Sequence, residues 1–120
     1  SKTYIATPEI HDRAVAWISH LPVQIGANLI YSCIQETDLE VLKLAQNLAS
    51  SGFRDTSRVG GGNPELGLMM AQYNTEPLLR SLEEYRKNLD KLIDLIQNEQ
   101  WEDLESVLQS THQQRPKFLE

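Results

Sequence analysis

Residues 75–97 read TEPLLRSLEEYRKNLDKLIDLIQ. Within them Leu78, Leu82, Tyr85, Leu89, Leu92 and Ile96 recur in alternating steps of four and three, an apolar seam of nearly three heptads. Charged residues fill most of the positions between. A strand would need a period of two, so this spacing predicts one long helix with a single apolar stripe. Downstream, Trp101, Leu104, Val107 and Leu108 mark a last amphipathic helix, and the polar stretch 113–120 is expected to fray.

Upstream, the sequence is punctuated for helices throughout. Asn63-Pro64-Glu65 caps a short helix ending near Asn74. Thr37 followed by Glu40 forms a capping box, opening a helix through Leu39, Leu42, Leu44, Ala45 and Leu48. Gly52 then stands where a left-handed C-terminal cap belongs. Thr7-Pro8-Glu9 supplies an N-cap, a proline at the first helical position and an acid in the first turn. The helix it opens is expected to reach about Cys33, with a kink near Pro22. Thr3-Tyr4-Ile5-Ala6 reads as a short strand, and no later segment reads as its partner. The fold class expected is therefore all-α, a bundle of five to six helices with an orphan N-terminal strand.

Composition bounds the function. A chain of 120 residues with 40% hydrophobic and 23% charged residues is expected to form one globular domain. A net charge of -6 opposes phosphate backbones and anionic lipid, so neither nucleic acid nor membrane is an expected partner. Cys33 is the single cysteine, which excludes an intrachain disulfide and fits a cytoplasmic setting. No signal peptide is read at the N-terminus. The span between Arg13 and Glu36 lacks formal charge, but Ser19, His20, Pro22, Gln24, Asn28 and Ser32 are costly in hydrocarbon. A helix buried in protein explains it better.

Two features carry possible chemistry. Ala16, Ser19, Val23, Gly26, Ala27 and Ile30 form a face of small residues on the first helix, where another helix or a ligand could approach the backbone closely. Asp12 and Ser19, seven apart, fall within about 20° of each other on a straight helix. Ser19 either faces a ligand there or bonds its own backbone in a tight helix pair. The second feature is Phe53-Arg54-Asp55-Thr56-Ser57-Arg58-Val59. If helical, it sets Arg54 and Arg58 four apart and Asp55 three before Arg58. Such a pair of guanidinium groups could clamp an anion, or Asp55 and Arg58 could form an ordinary solvated pair.

Other patterns fall short. Gly60-Gly61-Gly62 follows no strand and has no Lys-Ser/Thr, so it reads as a turn or hinge and not a phosphate loop. His11, His20 and His112 lack metal-ligand spacing, so no metal is expected. His11 beside Asp12 reads as a tuned helix start or a proton relay.

Read together, His11-Asp12, Val15-Ala16, Ser19-His20-Leu21-Pro22, Ser51-Gly52-Phe53-Arg54-Asp55-Thr56-Ser57-Arg58, Gly61-Gly62-Asn63-Pro64-Glu65-Leu66 and Asn74 resemble the prephenate/arogenate dehydrogenase family. The wording is most similar to its cyanobacterial arogenate dehydrogenases, and the resemblance covers essentially the whole chain after Ser1. It implies that residues 1–6 are the last strand and linker of a Rossmann domain absent from this chain. Residues 7–120 would be the helical dimerisation and substrate-binding domain, like the C-terminal domain of 6-phosphogluconate dehydrogenase. That domain would form an intertwined homodimer and one wall of each active site.

The activity implied for the parent enzyme is NAD- or NADP-dependent oxidative decarboxylation of prephenate or arogenate in tyrosine biosynthesis. Hydride leaves the C4 carbinol, carbon dioxide is lost, and the ring aromatises. The cofactor and the catalytic histidine would belong to the absent domain, which leaves this chain inactive alone. By the same resemblance Arg58 binds a substrate carboxylate, and Asp55 orients it or gates access. Ser19 and His20 line the pocket, and His11 and Asp12 hold the interdomain hinge. Val23 departs from prephenate-preferring relatives that carry histidine after the proline, which favours arogenate or dual use. The competing expectation is a stand-alone helical interaction module with no enzymatic role.

Overall fold

The computed structural model describes residues 5–119, and each of its elements is helical. Thr3 and Tyr4 of the expected strand lie outside the described residues, and Ile5 and Ala6 have no regular secondary structure. The elements are α1 (Pro8–Val15), a π segment (Ala16–His20), α2 (Leu21–Cys33), α3 (Leu39–Leu48), α4 (Ser51–Ser57) and a 3₁₀ turn (Arg58–Gly61). They continue as α5 (Pro64–Tyr73), α6 (Thr75–Gln97), α7 (Trp101–Gln114) and a second 3₁₀ turn (Arg115–Phe118). Because α1, the π segment and α2 follow one another without a break, the described residues form six helical rods, as the periodicity anticipates.

The caps explain most of the boundaries. Thr7 accepts the Ile10 amide at 3.2 Å, and Asn63 accepts the Glu65 amide at 3.0 Å. At α3 the cap is Asp38 and not Thr37. Its carboxylate takes the amides of Glu40 and Val41 at 3.0 and 3.4 Å, and its charge favours the positive end of the helix. Gly52 is no C-cap: α3 ends where Ala49 turns extended at ψ 129, and Gly52 lies inside α4. The tail also differs from expectation, since α7 continues to Gln114 and the chain then tightens into the 3₁₀ turn.

Near Pro22 the expected kink takes the form of the π segment. Proline has no amide to give the carbonyl four residues back, and its ring crowds that carbonyl. The helix widens just before it, with the Leu21 amide reaching back five residues to the Ala16 carbonyl.

Two compact units follow in sequence, Ser1–Leu82 and Glu83–Glu120. In the first, α2 packs on α4 and on the Arg58–Gly61 turn. Its buried residues are mostly small: Ala16, Gly26, Ser57 and Ser81, joined by Leu21 and by Leu78 at 3% exposure. Buried hydroxyls are satisfied locally, Ser57 donating to the Phe53 carbonyl at 2.6 Å and Ser81 to that of Leu78 at 2.9 Å.

The second unit is the remainder of α6 with α7. Asn98, Glu99 and Gln100 close the turn between them. The Gln100 amide reaches the Leu95 carbonyl at 2.8 Å, and Glu99 takes a left-handed conformation at φ 53. A side chain there costs about 1 kcal/mol that glycine would not. Glu99→Gly is therefore expected to raise stability by about 0.5–1 kcal/mol, read as a higher urea midpoint with unchanged slope.

Among the described hydrophobic residues only Ala16, Leu21 and Leu78 are buried. The seam that enters the first unit at Leu78 is uncovered further on, with Leu89 44% and Ile96 48% exposed. In the first unit an apolar cleft of about 490 Å³ opens among Ile30, Cys33, Ile34, Leu42, Leu48 and Phe53.

Candidate functional site

The site grows from the widened turn before Pro22. A π turn takes up one residue more than an α turn. The residue that comes to lie over Asp12 two turns on is therefore His20, not Ser19, which corrects the straight-helix alignment. One side chain spans this widened stretch of helix. The Asn74 amide nitrogen lies 3.0 Å from the Asp12 carbonyl oxygen and 3.1 Å from His20 Nδ1. Asn74 is also the residue at the junction of α5 and α6, so three helical segments meet at one amide. Ser19 and His20 are half-buried, whereas His11 and Asp12 are exposed and paired with each other at 3.2 Å. An exposed pair of neighbours like this adds little stability.

Arg58 is placed by glycine. The Arg58–Gly61 turn lies on the backbone of α2, and a Cβ on Gly60 would fall on the Ala27 amide nitrogen and the Gly26 carbonyl carbon, 2.7 Å from Ala27 Cα. A Cβ on Gly26 would in turn meet Gly60 N at 3.1 Å. The small-residue face thus serves a backbone-to-backbone approach within the chain. No glycine of the triplet has a positive φ, so closeness and not turn geometry explains the residue type at Gly60. The contact at Gly26 is six residues beyond His20, about 9 Å along the helix.

On that turn Arg58 is exposed, as are Arg54 and Asp55 on α4. Among the described residues no ion pair joins Asp55 to Arg58, so the ordinary solvated pair is not formed. The helix passes from α to 3₁₀ winding at Arg58, which alters the spacing a regular helix would give. Among the described residues no carboxylate pairs with the exposed Arg58 guanidinium, which an anion could therefore reach.

Beside the turn a cleft of about 330 Å³ is lined by Val23, Gln24, Val59, Gly60, Asn63 and Gly67. The Gln24 side-chain amide donates to the Gly67 carbonyl at 3.2 Å, which ties α2 to α5. Gln24 had no sequence signal, because a single polar residue on an uncharged helix does not reveal its partner. Asn74 stood within the family resemblance, but no local signal marked its bonds to Asp12 and His20, 62 and 54 positions away.

The family model for the prephenate dehydrogenase dimerization domain matches residues 7–110. The chain belongs to this family. The dimerization domain is 28% identical over 98 residues to a prephenate dehydrogenase of Bacillus subtilis, covering 82% of this chain and 26% of that protein. It is 25% identical over 92 residues to a prephenate dehydrogenase of Lactococcus lactis, covering 77% of this chain and 25% of that one. The chain thus spans about a quarter of the length of these relatives. Among solved structures, Synechocystis arogenate dehydrogenase superposes with a TM-score of 0.95 at 63% identity, over 98% of this chain and 42% of that one.

Gly60-Gly61-Gly62 does not form the phosphate turn of a dinucleotide site. Such a site needs a strand running into a glycine turn and a helix N-terminus free to meet phosphate. Here the glycines sit in a 3₁₀ turn closed against α2. No helix among the described residues is long and apolar enough to cross a membrane.

Proposed function

We propose that this chain is the C-terminal dimerisation domain of a cytoplasmic arogenate dehydrogenase, and that it contributes Arg58 to the binding of a substrate carboxylate. The observation that carries the substrate class is the likeness to Synechocystis arogenate dehydrogenase over nearly the whole chain. The Arg58 guanidinium, on its glycine-locked turn and without an ion pair among the described residues, supports the carboxylate role. Ser19, His20 and Val23 would line the pocket beside it, and Asp55, His11 and Asp12 would border its entrance. NADP or NAD would be held by a part of the protein outside these residues. The uncovered seam on α6 and the apolar cleft in the first unit would be buried between two copies of the chain.

The test is the complete gene product. It is expected to reduce NADP or NAD in the presence of arogenate and release tyrosine. Absence of turnover with both arogenate and prephenate would overturn the reading. The 120-residue chain alone is expected to show no nicotinamide reduction and no dinucleotide binding by calorimetry. Turnover by the chain alone would mean that its cofactor site has been missed.

A further inference from the structure

The Asn74 amide fixes more than helix position. Its nitrogen faces the Asp12 backbone carbonyl, which can only accept a hydrogen bond. Turning the amide over would set two acceptors against each other, so the NH₂ group must occupy this place. Its second N–H then donates to His20 Nδ1, 3.1 Å away. A ring nitrogen that accepts carries no proton, so the proton of the neutral imidazole sits on Nε2. Among the described residues Nε2 has no hydrogen-bond partner, yet no buried side-chain polar atom there lacks one. Nε2 is therefore open to solvent.

We infer that Asn74 is a positioning residue that locks His20 in the Nε2–H tautomer, so that His20 offers a hydrogen-bond donor to an oxygen of the bound substrate. The inference rests on the proposed substrate site for its target, but not for the tautomer. The widened turn is part of the device, since it brings His20 over Asp12, where one amide can reach both. An unlocked imidazole would divide its population between two tautomers, and only one of them would donate from Nε2.

Long-range ¹H–¹⁵N correlation spectra of the 120-residue chain read the tautomer directly. The His20 signals are assigned by their loss in His20→Gln, which separates them from those of His11 and His112. The wild type is expected to show a protonated Nε2 and a bare Nδ1. Asn74→Asp replaces the donor with an acceptor and is expected to move the proton to Nδ1. Asn74→Ala is expected to leave a mixture. A wild-type His20 protonated at Nδ1, or a tautomer unmoved in both variants, would overturn the inference, and the wild-type result requires no Asn74 variant to fold.

In the complete gene product, Asn74→Ala is expected to lower kcat/KM for arogenate about tenfold, as loss of one well-oriented hydrogen bond would. An unlocked tautomer with unchanged kcat/KM would overturn the donor role and leave the arogenate reading intact. If the wild-type product fails to turn over arogenate while the tautomer behaves as stated, the substrate reading fails and the positioning of His20 by Asn74 stands.

Discussion

Gly60→Ala is expected to cost about 3 kcal/mol or more, the largest loss expected of any glycine-to-alanine change among the described residues. The added Cβ would fall on backbone atoms of Gly26 and Ala27, and backbone cannot rotate aside as a flexible side chain can. Either the Arg58–Gly61 turn lifts from α2 or the helix deforms. At fixed protein concentration the melting temperature should fall by on the order of 10 °C. Gly52→Ala is the matched control. Nothing lies within 4 Å of a Cβ there, and the residue is inside a helix without a positive φ. It should gain about 0.5–1 kcal/mol from helix propensity and a stiffer unfolded chain. Equal and small effects at both positions would mean that the close approach does not hold the turn.

The second large effect concerns Arg58. In the complete gene product Arg58→Ala is expected to raise KM for arogenate far more than it lowers kcat. A carboxylate remote from the reacting carbon is held alike in the ground and transition states. Losing a charge-assisted, bidentate contact should cost about 2–4 kcal/mol, or roughly 30- to 1,000-fold in kcat/KM. Arg58→Lys should recover only part of it, because an ammonium lacks the planar fork. Arg54→Ala should do less. Since Asp55 makes no ion pair with Arg58, the loss should not appear as unfolding. Normal arogenate binding by an Arg58→Ala protein whose dimer has melted would make the residue structural. Gly60→Ala links the two effects, because a lifted turn moves Arg58 as well.

The sequence made helices legible wherever one element carries its own signal. Thr7 and Asn63 are caps whose side chains meet amides two or three residues away, and the α6 seam is a period within one helix. Neighbouring acceptors were harder: Thr37 and Asp38 both suit an N-cap, and only the backbone path decides between them. Gly52 was misplaced because a glycine after an apolar run is ambiguous between a helix end and the next helix start. The π segment was not legible, since Pro22 acts on a carbonyl four residues upstream and leaves the hydrophobic pattern unchanged. The alignment of Asp12 with Ser19 failed for that reason.

At the site, Arg58 and His20 stood out through the family resemblance of their blocks, but what holds them did not. The approach of Gly60 to Gly26 and the bridge from Asn74 to Asp12 join residues 34 and 62 positions apart. Long-range partners of that kind leave no local pattern.

The central claim is that this chain is made to be half of a dimer. A monomer would leave the seam through Tyr85, Leu89, Leu92 and Ile96, with Trp101 53% exposed on α7, as an apolar face in water, which pairing with a second copy would cover. Sedimentation equilibrium of the 120-residue chain at micromolar concentration tests it most directly. The expected result is a single species at twice the 13.7 kDa chain mass, its apolar faces closed against each other. A well-folded species sedimenting at 13.7 kDa across that range would contradict it.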